Sequence, residues 1–202
     1  SSTWFEWLQV PGKLRIEFLP APRTGGPAGV AVPDAGALWV DGTVTSIVGG
    51  RAQPAQPQLN ALLLLTADVY GQPVAESVKQ LTTLGVDLTT VRRDTFETRP
   101  TWVVGAPKGD LKAPQFWVDE ERWLVLRVVE RAPAPRAGQS PQPPTEYQLR
   151  DVRPAGGVLM PHEIVFLRDG RRFFRERYTE VRANETFAPA LFDPKAWRAA
   201  RR

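Results

Sequence analysis

Cysteine is absent from this chain of 202 residues, and histidine and methionine occur once each. Without cysteine there can be no disulfide, no zinc held by thiolates and no cysteine nucleophile. The absence is silent about compartment, because a secreted protein can do without disulfides. A single imidazole, His162, has no second histidine and no carboxylate at a ligand spacing, so no metal site is expected. It follows Pro161 in a strand-like run and reads as a strand histidine with ordinary hydrogen bonds. No apolar run approaches the roughly 18 residues of a membrane-spanning helix; "LNALLLLTADVY" is far too short.

Charge of one sign is also scarce. Lys and Arg number 26 against 22 Asp and Glu, a net charge of +4. The basic residues are scattered apart from Arg92-Arg93, Arg171-Arg172 and the closing "WRAARR". No basic and aromatic stripe accompanies that tail, so it reads as a solvated terminus and nucleic acid is not an expected partner.

Recognisable catalytic patterns are missing too. "GAPKGD" at 105–110 precedes a strand and lacks the Ser/Thr and strand–loop–helix setting of a phosphate-binding loop. Asp119, Glu120 and Glu121 sit together in a turn, where carboxylates are solvated. No serine lies in a nucleophile elbow. Glu163 beside His162 is the best hydrolase candidate, and it is a weak one. The chain is not expected to be an enzyme, and no cofactor is implied.

What the chain does have is tryptophan, seven residues, and proline, 20. The prolines punctuate apparent loops, as in a sheet protein with long connections. "TWFEWLQV" and "KLRIEFL" alternate on either side of "PG", which predicts a hairpin. "ALWVDGTVTSIVGG" predicts another around Asp41-Gly42. The period then becomes helical from Gln58 to Tyr70, breaks at Gly71-Gln72-Pro73, and resumes in "VAESVKQLTTLG" with Gly85 as the C-cap.

Strands follow at "DLTTVRRDTFE", "TWVVGAP", "QFWVD" and "RWLVLRVVER". A proline-rich segment from Ala132 to Pro144 reads as a mobile linker. "TEYQLRDVRP", "GVLMPHEIVFLRDG" and "RRFFRERYTEVRAN" complete the strands, with Asp169-Gly170 as a hairpin turn. The end, "ETFAPALFDPKAWRAARR", reads as irregular with a final helical turn. About ten antiparallel strands with two inserted helices predict an α+β fold: one curled antiparallel sheet whose concave side the helices cover. Residues 1–202 are read as a single domain. The chain starts without Met and enters strand sequence at once, so a processed start is expected.

The run "RWLVLRVVE" poses a problem of its own. It is apolar at nearly every position, so both of its faces must be covered, and Arg127 in its middle must find a carboxylate or backbone partner. Trp4, Trp7, Trp39, Trp102, Trp117 and Trp123 are by default core residues, each burying about 150–250 Å².

The order of these motifs resembles the LolA/LolB-like lipoprotein carriers of the bacterial envelope. The resemblance lies in "WFEWLQVPGKLRIEF" and in "PDAGALWVDG" with Asp34, Gly36, Leu38 and Trp39. It continues in "VVGAPKG" and "FWVDEERWLVLR" with Gly105, Asp119 and Arg127, and in the closing Pro161, Gly170, Asn184, Phe187 and Phe192. It implies an unclosed β-barrel lidded by helices and a place in the periplasm or cell envelope. Implied partners are lipid or lipoprotein acyl chains, an envelope protein and a transient membrane contact.

Two features depart from the family. Its N-terminal signal peptide and helix have no counterpart here, and Val10 stands before Pro11 where better-studied carriers have the arginine that holds the lid. Any lid must therefore close by other contacts.

On this reading Trp7, Leu14, Ile16, Trp39, Trp117, Leu124 and Leu126 line an apolar hollow. Leu62, Leu63, Leu65, Val78 and Leu81 of the helices form the lid. The alternative is an envelope-stress sensor or regulator of the same fold, acting through protein–protein contacts.

Overall fold

The computed structural model describes residues 2–19, 34–132, 140 and 142–198. Most of the proline-rich segment, the loop at 20–33 and the last four residues, including the end of the basic tail, lie outside the described residues. The expected hairpin is present: β1 (Trp4–Gln9) pairs antiparallel with β2 (Lys13–Phe18). β3 (Ala35–Val40) and β4 (Thr43–Val48) follow, joined through Asp41 and Gly42, both at positive φ as a tight hairpin turn requires. Two-residue strands β5 (Arg51–Ala52) and β6 (Gln56–Pro57) both pair with β4.

The helical region falls as the periodicity requires, in two short helices broken at Gly71–Pro73. α1 (Ala61–Thr66) starts at Asn60, whose side chain accepts from the Leu63 N–H at 3.0 Å. α2 (Val74–Thr83) ends at Leu84 and Gly85, with Val86 N–H returning to the Leu81 carbonyl at 3.0 Å. Gly85 has φ +82°, the left-handed conformation this closure needs.

Seven strands complete the chain: β7 (Asp87–Phe96), β8 (Arg99–Gly105), β9 (Gln115–Asp119), β10 (Val125–Glu130), β11 (Thr145–Ala155), β12 (Val158–Arg168) and β13 (Arg171–Arg177). They form a second antiparallel sheet in the order 13-12-11-10-9-8-7, while β1 to β6 form the first. The fold is thus antiparallel β with two short helices, and neither sheet closes into a barrel among the described residues. The strands divide between two sheets instead of running through one.

Two compact units result. Ser1–Gln72 with Thr186–Arg202 carries the first sheet and α1; Pro73–Glu185 carries α2 and the second sheet.

The first unit is tied together by its C-terminal segment. Leu191 and Phe192, in a 3-10 turn, and Trp197, just after a second one, form a buried cluster with Leu38 and Ile47; Trp7, Val40 and Phe187 pack around it. In the second unit β10 lies in the middle of the sheet, which explains its apolar run. Val129 packs with Val103 and Trp117 on one face. Val128 stands opposite Phe116 and Tyr147 on the other. Both valines are buried.

Candidate functional site

Strand register decides which sequence-predicted lining residues can meet. Residues directly paired across a ladder point to the same face. Leu14 pairs with Leu8 and Trp39, Trp39 with Val44, and Ile16 with Ala37. Leu14, Ile16 and Trp39 therefore share one face of the first sheet with Leu8 and Val44. Trp7 pairs with Arg15, which pairs with Leu38, so Trp7 belongs to the opposite face.

That opposite face is occupied by the C-terminal segment. Arg15, 1% exposed, lies at its centre. Its Nε donates to Glu17 at 2.7 Å, Nη1 to the Leu191 carbonyl at 2.7 Å and Nη2 to the Trp197 carbonyl at 2.8 Å. Burial pulls the Arg15 pKa down and the bond to Glu17 works against it. The guanidinium also covers the Trp197 ring, 3.9 Å from its centroid. Gly36 completes the seat, because a Cβ there would collide with the Ile16 carbonyl and the Trp197 indole.

Sequence reasoning missed this arrangement: it took the tail as solvated, and Trp197 is 3% exposed. The available signal was Phe187, Leu191, Phe192 and Trp197 recurring within eleven residues of an otherwise irregular stretch.

The face carrying Leu14, Ile16 and Trp39 is different in kind. Leu14 and Val44 are buried, while Leu8, Ile16 and Trp39 are half-buried. The Trp39 indole Nε1 is buried and finds no acceptor among the described residues. An orphaned buried donor costs on the order of 1–3 kcal/mol, so this face offers an apolar stripe with one N–H unsatisfied.

The predicted lining residues of the second unit are placed otherwise. Trp117 is core, with the Arg127 guanidinium 4.2 Å from its ring centroid. Arg127 also donates to Glu146 on the neighbouring strand at 2.8 Å, the carboxylate its position demanded. Leu126 is buried at an irregularity in the β9–β10 ladder and Leu124 is half-buried just before β10. Trp123, by default a core residue, is instead 64% exposed at φ +56° in the turn. The turn needs a left-handed residue there, and that takes the indole away from the sheet.

Of the lid residues, Leu63 and Leu65 of α1 are buried in the first unit and Leu62 is half-buried. In the second unit α2 buries Ser77 and Leu81 and exposes Val74 and Val78, so Val78 and Leu81 do not act on one face.

A polar cleft of about 400 Å³ lies in the second unit, lined by Asp151, Arg153, His162, Glu163, Arg177, Tyr178 and Thr179. Its charges are already matched. Arg153 pairs with Asp151 at 3.0 Å and Arg177 with Glu163 at 2.9 Å. His162 Nδ1 lies 3.0 Å from the Met160 carbonyl, and no hydrogen bond joins His162 to either carboxylate among the described residues.

Asp119 is likewise structural. It accepts from the backbone N–H groups of Glu121 and Arg122 and from Arg99. Burial alone would push its pKa up; the backbone donors and Arg99 outweigh it and hold it below the ordinary carboxylate range.

No protein-family model matches the chain, and no curated protein does. Among solved structures it is similar to a LolA superfamily protein from Nitrosomonas europaea. The identity is 10% and the TM-score 0.43, over 95% of this chain and 81% of the other.

Proposed function

We propose that this chain is a lipid-binding protein of the cell envelope, holding an acyl chain on the apolar face of its first sheet. The observation that carries the reading is the unsatisfied Trp39 N–H beside Leu8, Leu14, Ile16 and Val44. An acyl chain gains about 0.8 kcal/mol per buried methylene, so a long chain gains roughly 10 kcal/mol before ordering costs. An ester or amide carbonyl at the head of that chain would accept the Trp39 proton. The ligand is then a lipid or the acylated end of a lipoprotein, recognised by hydrocarbon and one carbonyl, with no ionic anchor.

The reading is of a binding protein without cofactor or reaction. The paired charges of the polar cleft support it, since neither carboxylate is free to act as a base for His162. Periplasmic placement and a carrier role in lipoprotein sorting belong to the same proposal, on the strength of the motif order. The buried leucines of α1, Leu63 to Leu65, are the side chains we assign to compete with the ligand during release.

The test is displacement of an environment-sensitive hydrophobic dye from delipidated chain by a diacylated lipopeptide, with native mass spectrometry for lipid that co-purifies. Saturable displacement supports the reading. Absence of both displaceable dye and retained lipid sinks it.

A second reading, a regulator acting through protein contacts, draws on the exposed stripe of Val74 and Val78 along α2. Affinity capture that retains a protein and no lipid would favour it.

A further inference from the structure

The sequence marked Arg171-Arg172 as a basic cluster without asking what stood beside it. The structure puts it on β13, the edge strand of the second sheet, next to two exposed phenylalanines. Phe173 is 50% exposed and Phe174 41%. Neighbouring residues on a strand ordinarily point to opposite faces. Here the β12–β13 register shifts between Phe166 and Leu167, and both rings pack edge-on against Phe166, at 6.2 and 5.1 Å. The irregularity thus gathers a solvent-facing aromatic patch on one side of the strand.

Cations frame this patch. Arg168 covers the Phe173 ring at 4.4 Å and stands directly opposite Arg171 in the ladder. Like charges facing each other across a ladder repel. Neither Arg171 nor Arg172 has a partner among the described residues, and both are exposed. From Arg168 to Arg177 the sequence carries five arginines and two acidic residues, Asp169 and Glu176. Arg175 and Arg177 are taken up by Glu163 on the neighbouring strand, which leaves Arg168, Arg171 and Arg172 as the cations beside the rings.

We propose that this end of the second unit, Phe173 and Phe174 framed by Arg168, Arg171 and Arg172, docks on an anionic phospholipid surface. The aromatic rings enter the interfacial region, and the arginines meet lipid phosphates, which also relieves the Arg168–Arg171 repulsion. Addition of a peptide strand to the same edge fits less well. The irregularity interrupts the ladder, and a run of charged side chains is how edge strands resist such pairing. No helix among the described residues is long and apolar enough to cross a membrane. The inference deepens the envelope reading by naming the surface behind its membrane contact, and it does not depend on the acyl site.

The experiment is flotation of the full chain with vesicles of phosphatidylcholine alone or mixed equally with phosphatidylglycerol. The expected result is at least roughly tenfold stronger partition onto the anionic vesicles, since each arginine near such a surface contributes about fivefold. Raising salt from about 0.1 M to about 0.5 M should weaken it, because the screening length shrinks.

The double variant Arg171→Gln/Arg172→Gln should lose at least roughly tenfold on anionic vesicles and little on neutral ones. Phe173→Ser/Phe174→Ser should lose roughly tenfold on anionic vesicles through lost apolar burial. The arginine variant is a surface change and should keep the parental melting curve. The phenylalanine variant gives up its ring contacts with Phe166 and should melt somewhat lower while staying folded, and both should keep the parental dye displacement. Retained displacement separates failure of this surface from failure of the acyl site. Equal partition onto both vesicle types, no partition, or variants that bind like the parent overturns the proposal. So does tighter retention of a polyglutamate peptide than of vesicles.

Discussion

Arg15 and Trp197, 182 positions apart, are joined twice: the guanidinium donates to the Trp197 carbonyl at 2.8 Å and lies over its ring at 3.9 Å. A third link, to the Leu191 carbonyl, adds a polar anchor for the C-terminal segment beneath the apolar cluster that Leu191, Phe192 and Trp197 form with the sheet. Arg15→Ala should therefore be costly, leaving two carbonyls and the buried Glu17 without their donor. The expected loss is about 3–5 kcal/mol, read as a lower urea midpoint. Arg15→Lys should recover only part of it, because an ammonium cannot span all three acceptors.

Gly36 tests the same seat from the other side. Gly36→Val places atoms where the Ile16 carbonyl and the Trp197 indole already are. Overpacking of this kind costs about 1–3 kcal/mol. Near-UV circular dichroism should lose the signal of an immobilised Trp197 while far-UV intensity from the strands persists. An unchanged near-UV spectrum would mean that the indole does not depend on this glycine.

Much of the architecture was legible because it is local. Alternation and the dipeptides Asp41-Gly42 and Asp169-Gly170 placed the hairpins, and Gly71-Gln72-Pro73 placed the break between helices. Arg127 within an apolar strand announced a buried partner, and Glu146 supplies it. What alternation could not give was which face a strand turns where. Trp7 and Trp39 look equivalent in sequence, but register separates them by a full sheet thickness. Division of the strands between two sheets, and the tail folding back over the first, depend on pairings between distant residues. No short-range pattern encodes them.

The Arg127–Glu146 pair is suited to a double-mutant cycle. Arg127→Met keeps an apolar stem against Trp117 but removes the cation that Glu146 accepts from. That single change should cost about 2–3 kcal/mol, because Glu146 stays mostly enclosed. Adding Glu146→Gln should restore part of the loss, with a coupling of about 1–3 kcal/mol by chemical denaturation. Strict additivity would show that the two side chains do not interact.

Asp68 gives a pH signature. The residue is 3% exposed, and its carboxylate accepts from the Gly12 N–H at 2.9 Å. Burial pushes its pKa up, with the Gly12 bond pulling the other way. The folded chain therefore holds this proton more tightly than the unfolded chain. Its stabilising effect is full below the ordinary carboxylate pKa and is lost as pH rises through the raised folded value. Asp68→Asn keeps an acceptor for Gly12 and removes the titration. The variant should match the parent at low pH and exceed it near neutrality, in urea midpoints taken across that range. A constant gap at every pH would assign the effect to something other than this proton.

Trp39 separates ligand binding from stability most cleanly, since its buried N–H has no acceptor among the described residues. Trp39→Phe removes that donor and keeps an aromatic ring on the same face. Losing an orphaned donor should offset much of the lost apolar area, so the urea midpoint should change little. Affinity for a diacylated lipopeptide should nevertheless fall by about fivefold, the worth of one net hydrogen bond. A hydrocarbon ligand without a carbonyl should bind parent and variant alike. If both ligands weaken equally, Trp39 contributes only surface, and the carbonyl contact has to be given up. If neither weakens, no ligand carbonyl accepts the Trp39 proton, and the observation that carries the acyl site is lost.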